Sequence, residues 1–150
     1  MIHIEVNPTL SASPAADVFE CAAQAVLEHQ SADGDITIVL TDDAQLHELN
    51  RDYLGIDAPT DVLSFPASET DPETARHYLG DILISIPRAA TQAQTAGHAL
   101  EAEAQLLTVH GTLHLLGYDH AGDEDKARMW KAQTEVLERL GLSGIEIKES

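Results

Sequence analysis

Three histidines fall within eleven residues of the chain, in the segment HGTLHLLGYDH at 110–120. His110 and His114 are four residues apart, so on an α-helix their side chains lie on the same face. On a straight helix, a residue ten positions beyond the first histidine would lie about 15 Å further along the axis. Gly117 removes that obstacle, because glycine readily adopts the left-handed conformation that ends a helix and turns the chain. The spacing therefore predicts that His120 folds back over the helix end and that the three imidazoles hold one metal ion.

Zinc is the metal that best suits these ligands. Three neutral imidazoles can bind Zn²⁺ and leave a fourth position open for water, as in catalytic zinc sites. The spacing His-x₃-His-x₂-Gly-x₂-His is that of the metzincin zinc proteases, so we expect a metzincin-like zinc helix with one Zn²⁺ per chain. In those proteases a glutamate follows the first histidine and acts as general base. Here that position is Gly111, which has no side chain to move a proton.

The charge of the chain limits the ways in which it can meet nucleic acid. Eight Lys and Arg residues stand against 26 Asp and Glu residues, which gives a formal net charge of −18. Such a surface repels polyphosphates at long range, so RNA binding should be weak, sensitive to salt or assisted by a protein partner. The chain is a poor candidate for a general nucleic-acid coat protein, and DNA is not an expected partner.

Nothing in the sequence indicates export or membrane insertion. The chain lacks an uninterrupted apolar run of about 18 residues, and MIHIEVNPTL does not have the pattern of a secretion signal. Its one cysteine, Cys21, cannot form an internal disulfide and fits a reducing cytoplasm. We therefore expect a cytoplasmic protein with no membrane partner, in which the Cys21 thiol is buried on a helix.

Hydrophobic periodicity predicts one α+β domain over residues 1–150. The expected strands are 2–6, 35–40, 61–65 and 80–86, and the expected helices are 14–29, 42–54, 88–96, 99–116 and 123–140. Ser13 and Thr41 are the expected N-caps of the first two helices, and 66–78 is expected to be a surface loop. About five helices would then cover a mixed sheet of about four strands.

Beyond the histidine segment, three further features resemble the YbeY family of single-strand-specific endoribonucleases. They are APTDVLSFP at 58–66, LGDILIS at 79–85 and Met129, and they occur in the order found in that family. The resemblance implies a zinc ion held by three histidines, which fall on His110, His114 and His120. It also implies maturation of the 3′ end of 16S ribosomal RNA and ribosome quality control in the cytoplasm, where a ribosomal protein or a GTPase would bring the enzyme to ribosomal RNA.

One position departs from the family pattern. The family commonly has Tyr-Arg-x-x-Asp before PTDVLSF, and its arginine takes part in substrate binding or catalysis. Here Tyr53 and Asp57 are kept, but Leu54 occupies the arginine position. Arg51 lies one helical turn earlier on a similar face, and we predict that it substitutes.

The catalytic residues assigned from the sequence are His114 and Arg51. Zinc can lower the pKa of bound water from 15.7 to about 7, so hydrolysis of a phosphodiester does not need a carboxylate base. A cation must still offset charge on the reacting phosphate; Arg51 is preferred for this task, ahead of Arg88 and Lys126.

Three functions are compatible with the histidine segment. The preferred one is a zinc-dependent endoribonuclease that acts on single-stranded or ribosomal RNA. The second is a metzincin-like metallohydrolase of a peptide or small amide, which Gly111 disfavours. The third is a binding module with structural zinc, which is disfavoured because structural sites usually have four protein ligands.

Overall fold

The computed structural model describes residues 1–119 and 121–142. Its elements, in chain order, are β1 (Ile2–Val6), α1 (Ala16–His29), β2 (Asp35–Thr41), α2 (Asp43–Leu54), β3 (Val62–Thr70), β4 (His77–Ser85), α3 (Ile86–Ala96), α4 (Leu100–Leu115) and α5 (Asp123–Arg139). The predicted α+β class, with a mixed sheet and helices around it, is confirmed. Within the described ranges, none of the helices is both long enough and apolar enough to cross a membrane.

The four strands form one sheet in the order β1-β2-β4-β3. β1 and β4 both run parallel to β2, whereas β3 pairs antiparallel with β4 and lies at the edge of the sheet. Ile38 at the centre of β2 lies between Ile4 of β1 and Ile82 of β4. Because side chains alternate between the faces of a strand, this row of isoleucines is directed to one face of the sheet.

The helices cover both faces of the sheet. One face packs against α1, α3 and α4 in a core that includes Phe19, Ile38 and Leu107. The opposite face packs against α2 through Leu46 and Leu83. The sheet therefore separates α2 from α4.

Helix α4 lies between the sheet and α5. Its sheet side joins the first core, and its other side packs against α1 and α5 through Leu106, Val109, Leu113 and Met129. A helix covered on both sides is apolar around most of its circumference, which explains why twelve of its sixteen residues are buried. A polar side chain on α4 is therefore held in place by neighbours on two elements.

Both predicted N-caps are wrong by one or two residues. Helix α1 is capped at Ala15 rather than Ser13, because Ala15 still has an extended backbone and the helix begins only at Ala16. Helix α2 is capped by Asp42 rather than Thr41, since the Asp42 carboxylate accepts a hydrogen bond from the Gln45 N–H at 2.9 Å. Thr41 instead ends β2 as its last strand residue.

The predicted loop at 66–78 is also wrong. Both strands of the hairpin extend into it, with Thr70 paired to His77 and Pro66 paired to Gly80. The register shifts between Pro66 and Glu69, which disturbs the alternation of apolar and polar residues that marks a strand. The turn is therefore confined to residues 71–76.

Cys21 is exposed, contrary to the prediction that its thiol is buried. The buried face of α1 is formed by Phe19, Ala22, Ala23 and Val26. Cys21 lies on the other side of that helix. The helical neighbours of Cys21 on that side are polar, namely Asp17, Gln24 and Glu28, so the spacing of α1 agrees with an exposed thiol although the residue type alone favours burial.

Candidate metal centre

Helix α4 brings two of the predicted ligands together. His110 and His114 point their Nε2 atoms at each other at a distance of 3.1 Å, and their ring centroids are 4.6 Å apart. His110 is buried with 6% of its surface exposed, while His114 is partly exposed. The four-residue spacing therefore places both imidazoles on one face, as predicted, with one member of the pair buried and the other more accessible.

The other ring nitrogen of each histidine is bound to an oxygen atom. Nδ1 of His110 lies 3.0 Å from Oε1 of Gln133 on α5, and Nδ1 of His114 lies 2.9 Å from the backbone oxygen of Tyr118. An amide or carbonyl oxygen only accepts hydrogen bonds, so each Nδ1 carries the hydrogen and donates it. Each Nε2 then has a lone pair in place of a hydrogen, and the two Nε2 atoms face each other across 3.1 Å.

This arrangement fits a metal ion. Two facing lone pairs repel each other unless a cation binds both, and neutral imidazoles with Nδ1–H held by an oxygen are typical zinc ligands. His110 and His114 are thus oriented as the first two ligands of the predicted centre. No group of three His, Cys, Asp or Glu side chains suited to a metal occurs within 1–119 and 121–142. The third predicted ligand, His120, lies outside the described residues.

The turn after α4 is confirmed. Gly117 has φ of 98°, in the left-handed region, and the Tyr118 N–H donates to the Leu113 carbonyl at 3.1 Å. The Tyr118 hydroxyl in turn donates to Oε1 of Gln30 at 2.9 Å, which ties the turn to the end of α1. The same turn therefore ends the helix and supplies the carbonyl that orients His114.

Gly111 is required by the packing of α4 on the sheet. A Cβ atom added at this position would lie 2.9 Å from Cγ2 of Ile82 and 3.1 Å from Oγ of Ser64. The Ser64 hydroxyl also donates to the Gly111 carbonyl at 3.0 Å. The position that carries the general base in zinc proteases thus faces the sheet at a distance that leaves no room for a glutamate.

One residue of the site was missed by the sequence analysis. Gln133 is buried with 2% exposed, and it lies among Met129, Val136 and other apolar residues of α5. A polar side chain on the apolar face of an amphipathic helix was the available signal, because a buried amide must find a partner. The identity of that partner, 23 residues earlier in the chain, could not be read from the pattern.

The two arginines considered as catalytic cations lie elsewhere. Arg51 is exposed on α2, across the sheet from α4, and its Nε donates to Asp52 at 3.0 Å. Arg88 on α3 donates two hydrogen bonds to Asp43, at 2.7 and 2.9 Å, and these bonds lower the pKa of the Asp43 carboxyl group. The catalytic role of Arg51 stays a prediction.

A second buried polar cluster lies toward the opposite end of α4 from the histidine pair. Glu103 is 4% exposed and accepts a hydrogen bond at 2.6 Å from Nε2 of His98. The Gln92 amide nitrogen, when directed toward the two carboxylates, donates to Glu103 at 3.1 Å and to Asp61 at 3.2 Å. Burial raises the pKa of Glu103, and the hydrogen bond from His98 offsets part of that rise.

The fold and the histidine pair define a small α+β protein with a helix-borne imidazole site. The family model for Endoribonuclease YbeY matches residues 3–141 of the chain. This chain belongs to that family, and it is accordingly a hydrolase that acts on RNA.

Individual relatives agree with the family model. Endoribonuclease YbeY of Desulfitobacterium hafniense is 48% identical over 122 residues, which cover 77% of this chain and 78% of the relative. Endoribonuclease YbeY of a Roseiflexus species, strain RS-1, is 43% identical over 150 residues and covers 95% of this chain and 94% of the relative. The solution structure of TM1509 from Thermotoga maritima has a TM-score of 0.58 and 26% identity, with 94% of this chain and 92% of that chain covered.

Proposed function

We propose that this chain is a zinc-dependent endoribonuclease specific for single-stranded RNA. The zinc ligands are His110, His114 and His120, and the substrate is the 3′ end of 16S ribosomal RNA, cut during maturation and ribosome quality control in the cytoplasm. Membership of the YbeY family supports the reaction class and the RNA substrate.

The observation that carries the zinc proposal is the orientation of the histidine pair. The 3.1 Å approach of two Nε2 atoms, each on a ring whose Nδ1 is held by an oxygen, is the arrangement expected of two ligands to one ion. Ligand rings that are held in advance lose little freedom when the ion binds, because their neighbours already fix them.

Each residue of the site has a definite task. His110 and His114 supply lone pairs, while Gln133 and the Tyr118 carbonyl fix their tautomers and ring orientations. When bound, zinc supplies a Lewis acid for a phosphoryl oxygen and lets water ionise near neutral pH, so a carboxylate base is not required. His114, partly exposed, is the ligand of the pair nearer to solvent. The role of Arg51 against charge on the phosphate stays a prediction, and that residue lies on α2, across the sheet from α4.

The packing of Gly111 argues against the peptidase alternative. A peptidase of metzincin type needs a glutamate next to the first histidine, and the sheet occupies the space that its side chain would need. The strongly acidic composition is compatible with an RNA enzyme that a partner delivers to its substrate. A basic ribosomal protein or a GTPase is the proposed partner.

The test compares two substrates on the metal-loaded protein. Wild type, His114→Ala and His47→Ala are incubated with single-stranded RNA and with a casein-like peptide substrate. We expect wild type and His47→Ala to cut RNA, because His47 lies on α2 and bonds to Asp57, and we expect His114→Ala to lose that activity. Peptide cleavage without RNA cleavage would overturn the proposal, as would full activity of His114→Ala.

A further inference from the structure

One face of α5 is directed to the histidine pair. Lys126, Trp130 and Gln133 follow each other at spacings of four and three residues, so they lie in a row on that face. Gln133 binds Nδ1 of His110, and the Trp130 ring meets the His110 ring edge-on with centroids 5.9 Å apart. The ammonium of Lys126 lies over the Trp130 ring, 5.6 Å from its centre. Two ring contacts thus connect a lysine to the candidate metal centre.

The position of Lys126 suits a phosphate ligand better than that of the arginines considered above. Arg51 and Arg88 lie on α2 and α3, whereas Lys126 lies on the helix that contacts His110. The indole attracts the Lys126 ammonium through its quadrupole and favours its position on the side of α5 that carries the row. In a chain whose formal charge is −18, a cation separated from His110 by one indole ring offsets the repulsion that an RNA phosphate meets elsewhere on the surface.

We propose that Lys126 binds a backbone phosphate of the single-stranded RNA and that Trp130 positions the ammonium beside the histidine pair. This proposal rests on the endoribonuclease function above and specifies how the acidic chain holds its substrate. A strand whose scissile linkage lies at the histidine pair places a flanking phosphate toward the first turns of α5. Lys126 and Trp130 are both partly buried, so the lysine is held near the site rather than extended freely into solvent.

The chain offers a matched control. Lys131 carries the same charge on the same helix, but it is exposed and lies five residues further on, about 140° around the axis. Replacing either lysine with alanine changes the net charge by the same amount. A difference between the two variants therefore reports position rather than overall charge.

Binding and cleavage are measured separately. Binding of a single-stranded oligouridylate is followed in the His114→Ala background through the fluorescence of Trp130, the one tryptophan in the chain. In that background, adding Lys126→Ala should lower the steepness of the plot of log affinity against log salt concentration by about 0.7, because one phosphate contact is lost. In the otherwise wild-type metal-loaded enzyme, Lys126→Ala should raise KM for the same RNA about threefold to tenfold with little change in kcat. Lys126→Arg should restore the salt dependence of binding and the KM of wild type. Lys131→Ala should leave both quantities unchanged.

Three outcomes separate the hypotheses. The inference is supported if wild type cuts the RNA and if Lys126→Ala, but not Lys131→Ala, shows the weaker salt dependence of binding and the higher KM. If wild type cuts RNA but Lys126→Ala behaves like Lys131→Ala in both measurements, the phosphate-binding role of Lys126 is overturned and the nuclease function stands. If wild type does not cut the RNA and the His114→Ala protein does not bind it, the nuclease function is overturned and the role of Lys126 with it.

Discussion

The side-chain amide of Gln133 on α5 holds Nδ1 of His110 on α4, with 3.0 Å between the oxygen and the nitrogen. Both residues are buried, with 2% and 6% of their surfaces exposed. The contact determines which nitrogen of His110 carries the hydrogen and therefore which nitrogen can bind a metal. A residue of α5, 23 positions later in the chain, thus determines which nitrogen of His110 is available to a metal ion.

Gln133→Leu should weaken zinc binding about tenfold to a hundredfold, the usual cost of removing a partner that orients a metal ligand. Leucine fills a similar volume but cannot accept the Nδ1 hydrogen, so His110 loses its fixed tautomer. Gln133→Glu keeps an acceptor at the same place and should retain most of the affinity. Zinc titration by calorimetry checks both, and equal affinities for the Leu and Glu variants would contradict the assigned role.

The turn after α4 gives a second prediction. Gly117 has a left-handed φ of 98°, and the space that a Cβ atom would occupy is open, so Gly117→Ala meets backbone strain but no clash. We expect the free energy of unfolding to fall by about 1–2 kcal/mol. Zinc affinity should also fall, because the Tyr118 carbonyl that orients His114 lies directly after the glycine.

Gly97→Ala is the control for this variant. Gly97 ends α3 with φ of 78° and likewise has open space beside it, so its replacement should cost a similar amount of stability. It lies outside the turn that orients His114, and zinc affinity should stay unchanged. Equal zinc affinity in the two variants, measured on the folded proteins, would mean that the Gly117 turn has no part in the metal centre.

The histidine pair could be predicted because its cause is local. A spacing of four residues places His110 and His114 on one face whatever surrounds the helix, and Gly117 marks the turn by its backbone freedom alone. The partner of His110 could not be predicted, since Gln133 reaches it only after α5 has packed on α4.

Two errors in the fold have the same origin. Asp42 caps α2 instead of its neighbour Thr41 because the last residue of β2 is held by strand pairing, which is a tertiary effect. The extension of β3 to Thr70 depends on an irregular register opposite β4, and such a shift leaves no regular period in the sequence. The error at Cys21 has a different cause, since its burial was predicted from residue type while its helical neighbours Asp17 and Gln24 are polar.

Gly111→Ala tests the close packing of α4 on the sheet. The new methyl group would lie 2.9 Å from a methyl group of Ile82, so the helix or the strand must move. We expect the free energy of unfolding to fall by about 1–3 kcal/mol, as for other overpacked cores. Gly122→Ala is the control, because its nearest neighbour, an Asp125 oxygen, is 3.8 Å away, and it should cost no more than about 1 kcal/mol. Urea denaturation measures both, and equal losses would contradict the packing explanation.

The last prediction concerns the pH dependence of stability at Glu103. Burial raises the pKa of this carboxyl group above its ordinary value of 4.5, and the nearby Asp61 charge adds to the rise. The folded chain therefore holds this proton more tightly than the unfolded chain does. Below pH 4.5 the group is protonated in both states, and its favourable contribution to the free energy of unfolding is fully present. As the pH rises from 4.5 through the higher pKa of the folded state, that contribution is lost.

Glu103→Gln removes the titrating group while keeping a polar side chain of the same length beside His98 and Gln92. The stability of wild type relative to this variant should therefore decline as the pH rises from 4.5 toward neutrality. Glu101→Gln, which removes the same charge from an exposed position of α4, is the control for the change in net charge. Urea denaturation at a series of pH values gives the difference directly. If the stability of wild type relative to Glu103→Gln instead rose with pH, His98 would stabilise the ionised carboxylate more than burial opposes it.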